Sequence, residues 1–146
     1  MTTVQQILKE KTAGTWTIAP RATVYQALEL MAQKDVGALP VVDNGKIVGM
    51  FSERDYARKV VLQGRASKTT TVSELMTTKI FYVRPDSTVE ECMALMTERH
   101  IRHLPVLDGA ELVGLVSIGD IVKAIIVDQE ITIRSLKNYI TGSYEG

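Results

Sequence analysis

Two stretches of the chain set a serine three residues ahead of an aspartate, directly behind an apolar run. They are Gly49-Met50-Phe51-Ser52-Glu53-Arg54-Asp55 and Gly114-Leu115-Val116-Ser117-Ile118-Gly119-Asp120. A strand that runs straight into a helix leaves backbone amides free at the helix start. Those amides and the helix dipole favour an anion, and the serine hydroxyl sits at the same end. A carboxylate three residues on can accept two hydrogen bonds from the diol of a ribose. The same spacing is also a capping box, in which serine and aspartate satisfy the helix's own amides. The two readings can coexist.

Basic residues stand nearby. Arg54 lies inside the first motif, where the second has Gly119. The run Arg99-His100-Ile101-Arg102-His103 precedes Leu104-Pro105, where the first copy has only Gly37-Ala38 ahead of Leu39-Pro40. We expect Arg54, Arg102 and His103 to share the anionic part of a ligand; the plainer alternative is a solvated charged turn. A histidine titrating near 6.5 would add pH sensitivity.

Other chemistry has little support. His100 and His103 are the only histidines and lack partners at metal-ligand spacing, so no metal site is expected. No Walker A motif, dinucleotide-binding glycine fingerprint or nucleophile elbow occurs, and no catalytic residue is assigned. Cys92, the single cysteine, falls on an apolar helix face and reads as a buried small thiol. Lysine plus arginine and aspartate plus glutamate both number 17, which argues against broad nucleic-acid binding. No apolar run approaches the ~20 residues of a membrane helix, and the first residues lack the pattern of a signal peptide. A soluble, cytoplasmic protein is expected, in keeping with the absence of disulfide pairing.

The elements that carry the motifs repeat. Sliding the sequence by 65 residues aligns 20–61 with 85–126 without a gap and gives 13 identities in 42 positions. They include Pro20/Pro85, Thr23/Thr88, Leu39/Leu104, Pro40/Pro105, Gly49/Gly114, Ser52/Ser117 and Asp55/Asp120. In each copy a short strand (Thr15–Ala19, Ile80–Arg84) ends at proline. A helix follows, capped by Thr23 or Thr88. Its apolar face is Val24, Ala27, Leu28 and Met31, or Val89, Cys92, Met93 and Met96. Two strands come next, Ala38–Asp43 with Lys46–Ser52 and His103–Asp108 with Glu111–Ser117. Asn44-Gly45 is a strong hairpin signal; Asp108-Gly109-Ala110 is a looser version. A second helix then starts after each motif serine.

The unit is β-α-β-β-α, twice, in a 146-residue α/β chain with 45% apolar residues. Neither copy can bury both faces of so small a sheet alone, so the two should pack together. Further helices are expected at Val4–Lys11 and, behind the Thr71-Val72-Ser73-Glu74 capping box, through Met76. Ile121, Ile125, Ile126 and later Leu136 and Ile140 keep an approximate helical spacing that runs on past the end of the second repeat. They would cap the core or form a dimer or docking surface.

A β-α-β-β-α unit carrying Leu-Pro-Val-Val-Asp and then Gly-apolar-apolar-Ser-x-x-Asp resembles the CBS domain, and two in tandem resemble a Bateman module. On this reading residues 1–146 are one module, with repeat 1 at 4–64, repeat 2 at 71–127 and a helical extension at 128–146. The resemblance implies two clefts related by a pseudo-twofold axis that bind adenosine compounds: AMP, ADP, ATP, S-adenosylmethionine or NAD. NAD would then be a signal, not a hydride carrier. It implies ribose at Asp55 and Asp120, with Ser52 and Ser117 beside the sugar-phosphate. Phosphates would lie near Arg102 and His103. Adenine would lie against Thr17, Ile18 and Ala19, and against Tyr82, Val83 and Arg84. Trp16 or Tyr82 could stack on the ring, although packing is the more usual fate of such side chains. Homodimers and an unidentified downstream protein are the implied partners. The alternative is a structural scaffold whose clefts bind nothing.

Overall fold

The computed structural model describes residues 2–11 and 14–141, the last four of these by their backbone only. Helix α1 (Val4–Glu10) comes first. Repeat 1 supplies α2 (Val24–Lys34), β1 (Ala38–Asp43), β2 (Lys46–Ser52) and the single turn α3 (Glu53–Asp55), which continues as a π-helix over Tyr56–Val61. A short α4 (Val72–Leu75) leads to repeat 2: α5 (Val89–Arg99), β3 (His103–Asp108), β4 (Glu111–Ser117) and α6 (Ile118–Thr141).

Each repeat forms a two-stranded antiparallel sheet in the same register, Ala38 against Ser52 and His103 against Ser117. The expected leading strands shrink to one bridge each. Ile18 pairs with Val41 and Val83 with Val106, both parallel. Ile18 N donates to Pro40 O and Ile18 O accepts from Val42 N, and Val83 repeats this between Pro105 and Leu107. Proline two residues after each bridge has no N–H to extend the ladder. The second hairpin is not looser than the first. Asp43–Lys46 and Asp108–Glu111 close equivalent two-residue turns. Positive φ falls on Asn44 (51°) and Gly45 (77°) in one and on Gly109 (63°) in the other, as hairpin turns require.

There are two hydrophobic cores, and the short helices exchange between them. Val4 and Ile7 of α1 join Val89, Cys92, Met96, Leu104, Val116 and Ile121 of repeat 2. Val72 and Leu75 of α4 join Val24, Met31, Leu39, Phe51 and Val60 of repeat 1. The exchange is fixed at the helix starts, where the first amides have no partner within the helix. Val4 N donates to Ser87 O and Val89 N to Thr2 O; likewise Val24 N donates to Thr70 O and Val72 N to Ala22 O. The repeated glycines admit the exchanged helices. A Cβ on Gly114 would lie 2.6 Å from Leu8, and one on Gly49 would lie 2.6 Å from Met76.

Helix α6 is a single rod of 24 residues, so the expected extension is the same helix as the one opened by the second motif. Near its middle it is tied to the chain's beginning by Thr2 Oγ1, which donates to Asp128 at 2.9 Å. Val122, Ile126, Ile133 and Leu136 are exposed along it. Ile140's side chain and residues 142–146 lie outside the described residues.

Candidate functional site

Both Ser-x-x-Asp motifs close as capping boxes. Ser52 N donates to Asp55 Oδ2 at 2.9 Å and Asp55 N donates to Ser52 Oγ at 3.2 Å. Ser117 and Asp120 do the same at 2.8 and 3.2 Å. The next amides are also taken, Glu53 N by Gly37 O and Ile118 N by Arg102 O. The expectation of free amides waiting for an anion is therefore corrected. Three amides at each start are engaged, which leaves Arg54 N and Gly119 N, so any anion must be held mainly by side chains.

Such side chains gather between the repeats around a cleft of about 630 Å³. Repeat 1 contributes Ser52, Arg54, Asp55 and Arg58; the run into repeat 2 contributes Thr77, Lys79, Ile80 and Phe81; the start of β3 contributes Arg102 and His103. Four cations (Arg54, Arg58, Lys79, Arg102) face two carboxylates (Glu53, Asp55), which leaves the lining at +2 with His103 neutral. Arg54 also ties the repeats together, since its guanidinium donates to His100 O at 2.6 Å.

Asp55 is buried and accepts four contacts. Besides Ser52 N and Oγ, it takes Thr77 Oγ1 at 3.3 Å and the Lys59 ammonium at 3.1 Å. His103 fills the room left by Gly37, whose Cβ would lie 3.2 Å from the ring. Burial pushes the His103 imidazole below its usual value. Asp120 pulls the other way, while Lys11 and Arg102 add to the lowering, so the ring is neutral at pH 7.

The counterpart hollow, about 210 Å³, is lined by Leu8, Lys11, Thr15, Trp16, Val36 and Leu115 among others. Ser117 and Asp120 are not part of this lining; the Lys11 ammonium sits on Asp120 Oδ2 at 2.8 Å.

Of the residues expected from sequence, Ser52, Arg54, Asp55, Arg102 and His103 come together in one cleft. Thr17, Ile18, Ala19, Tyr82 and Val83 do not line either hollow. Ile18 and Val83 are fixed in their bridges, and Tyr82 faces outward, 47% exposed. The residues just before them, Ile80-Phe81 and Thr15-Trp16, line the hollows instead. Trp16 packs under the Lys34 ammonium at 4.1 Å. Arg58 and Lys79 were missed from sequence. Arg58 follows Arg54 by four residues, a helical spacing that signals a shared face; Lys79 carries no local signal.

A doubled β-α-β-β-α fold whose halves trade helices and enclose a cationic cleft defines a paired-repeat α/β module. The sequence pattern of the CBS domain matches residues 12–62 and 72–127, and the chain belongs to the CBS-domain family. It is 57% identical to a solved CBS-domain protein from Burkholderia ambifaria, covering 88% of this chain and 96% of that one with a TM-score of 0.84. It is 40% identical to the mitochondrial CBS domain-containing protein CBSX3 of Arabidopsis thaliana, over 98% of this chain and 74% of the relative. At 26% identity and a TM-score of 0.78 it also matches the CBS domain pair of protein MJ0100, solved with 5′-methylthioadenosine and S-adenosyl-L-methionine; 88% of this chain and 98% of that one are covered. CBS-domain pairs are commonly regulatory, nucleotide-binding modules. Among the described residues no helix is long and apolar enough to cross a membrane.

Proposed function

We propose that the chain is a non-catalytic sensor that binds an anionic adenine nucleotide (AMP, ADP, ATP or NAD) in the cleft between its repeats and passes occupancy to a partner protein. The observation that carries this reading is the clustering of Arg54, Arg58, Lys79 and Arg102 beside the buried Asp55. Guanidinium and ammonium groups suit phosphate oxygens. A ribose hydroxyl would take the place of the Thr77 hydroxyl on Asp55, the longest of its four contacts at 3.3 Å. Ile80 and Phe81 supply an apolar wall for adenine. A lining charge of +2 favours phosphates over the sulfonium of S-adenosylmethionine, so the ligand class differs from that of the MJ0100 pair. The single buried thiol fits a cytoplasmic setting.

Thermal unfolding with AMP, ADP, ATP, NAD, NADH and S-adenosylmethionine tests this. At ~100 times its dissociation constant a ligand stabilises by about 2.7 kcal/mol, a rise of roughly 5–10 °C. Phosphate-rich ligands should win, and Arg102→Met should remove the effect while the variant stays folded. Silence from all six at millimolar concentration would refute the reading.

The scaffold alternative draws on a different feature, the exposed stripe on α6. Val122, Ile126, Ile133 and Leu136 are spaced 4, 7 and 3 apart, the seam of a helix that pairs with another helix. A second copy of the chain is the occupant we assign to it. Binding at the cleft and pairing through α6 are compatible.

A further inference from the structure

The two clefts are built from equivalent strands yet differ threefold in volume, about 630 against 210 Å³. Lys11 is one of the side chains that fill the smaller one. Lys11, the C-cap of α1, reaches across to repeat 2. Its ammonium lies 2.8 Å from Asp120 Oδ2 and donates to Leu115 O at 3.0 Å. Asp55 also meets a lysine, Lys59, but that contact is of another kind. Lys59 stands one turn along the same helical segment, also donates to Leu75 O at 3.0 Å, and does not line the first cleft, whereas Ser52 and Asp55 do. In the second hollow the order is reversed, with Lys11 in the lining and Ser117 and Asp120 outside it.

The sequence shows how Lys11 gets there. Leu8 covers Gly114 as Met76 covers Gly49. From Leu8 to Thr15 the chain takes seven steps, and from Met76 to the equivalent Ile80 only four. Helix α1 is correspondingly longer, seven residues against four in α4. Counted from Leu8 and Met76, Lys11 corresponds to Lys79, which lines the first cleft; the longer α1 sets Lys11 on Asp120 instead.

Building on the nucleotide reading, we infer that Lys11 is a tethered occupant of the second cleft, holding the carboxylate a ribose would use, so that the chain binds nucleotide in the first cleft only. Lys11 and Asp120 keep 35% and 24% of their side-chain surface in solvent. A pair so exposed adds little to the stability of the fold, so removing the lysine frees the site without dismantling the core; the side chain competes for the second hollow by occupying its lining.

Calorimetric titration with ATP, backed by equilibrium dialysis, compares the full chain with Lys11→Met and Lys11→Arg. The expected result is one ATP per chain for the wild type, two for Lys11→Met, and one for Lys11→Arg. Adding Asp55→Asn to Lys11→Met should leave one, now in the second cleft. Lys11→Gln replaces the methionine variant if that fails to fold. Two sites in the wild type would overturn the inference, as would no gain in Lys11→Met. So would weaker binding at the existing site, which would make Lys11 a ligand group. A wild type that binds none refutes the nucleotide reading separately. In that case a site gained in Lys11→Met still supports the role of Lys11, and none gained overturns it.

Discussion

The exchange of α1 and α4 can be tested with the chain's own thiol. Cys92 is fully buried in the core of repeat 2, and burial with the neighbouring Glu91 pushes its thiol up to about 11. It can be labelled only when that core opens. Ile7, 7% exposed, lies in the same core although it precedes repeat 1 in sequence. Ile7→Ala removes three buried carbons at about 0.8 kcal/mol each, ~2.4 kcal/mol in all, and a cavity that collapses poorly raises this within a range of ~2–5 kcal/mol. When closing outpaces labelling, the rate follows the open population, so 2.4 kcal/mol accelerates it about 50-fold. The assay is the rate of reaction with a chromogenic disulfide at mildly alkaline pH. Leu75→Ala, of like size but in the core of repeat 1, is the control and should accelerate labelling far less. If Ile7→Ala leaves the rate unchanged while Leu75→Ala raises it, the assignment of the helices is wrong. Equal acceleration would mean that the cores open as one unit.

Three further outcomes are expected. Burial pushes the Asp120 carboxyl up, but hydrogen bonds from Lys11 and the Ser117 amide, with the charge of Lys11, outweigh it and hold the group below its ordinary 3.8. A depressed carboxylate stabilises the fold above its unfolded value and loses that contribution as pH falls through the folded one, so any stability lost in Lys11→Met should be present at neutral pH and fade below 3.8. Burial lowers His103, so the unfolded chain binds its proton first below 6.5 and stability falls as the solution is acidified from there; His103→Gln should flatten that part of the curve in urea melts. Ile126→Glu with Ile133→Glu should leave nucleotide stabilisation intact and reduce the mass seen by light scattering, and an unchanged mass would remove α6 from any self-contact.

Much of the fold was legible because its signals are local. Thr23, Thr71 and Thr88, read as caps, all lie at helix starts, and the first two carry full capping boxes. Asn44-Gly45 fixed its hairpin, and the gapless 65-residue offset placed both sheets. What the sequence hid depends on contacts between distant residues. The apolar faces of α1 and α4 show that each must be buried, not in which core. The shrinkage of the leading strands follows from tertiary docking against β1 and β3. The π-helical turn at Tyr56–Val61 has no sequence signal we can identify. In the cleft, Arg54, Arg102 and His103 stood out as basic residues flanking repeated motifs. Lys11 and Lys79 lie outside the stretch that aligns at an offset of 65; they match each other only at an offset of 68, set by Thr3-Val4 against Thr71-Val72, a register the 65-residue comparison does not test.

The traded helices also bear on how such a chain could arise. A half-length ancestor carrying one arm helix and one sheet would leave its core open and its arm without a seat. Two copies would close each other by swapping arms, a common route to a twofold pair. Fusing the two genes in tandem turns that dimer into the present chain, with Gly64–Thr71 as the seam. A break within that seam would leave two fragments, each carrying the helix the other lacks. They should hold together as a reconstituted whole, and neither should fold alone.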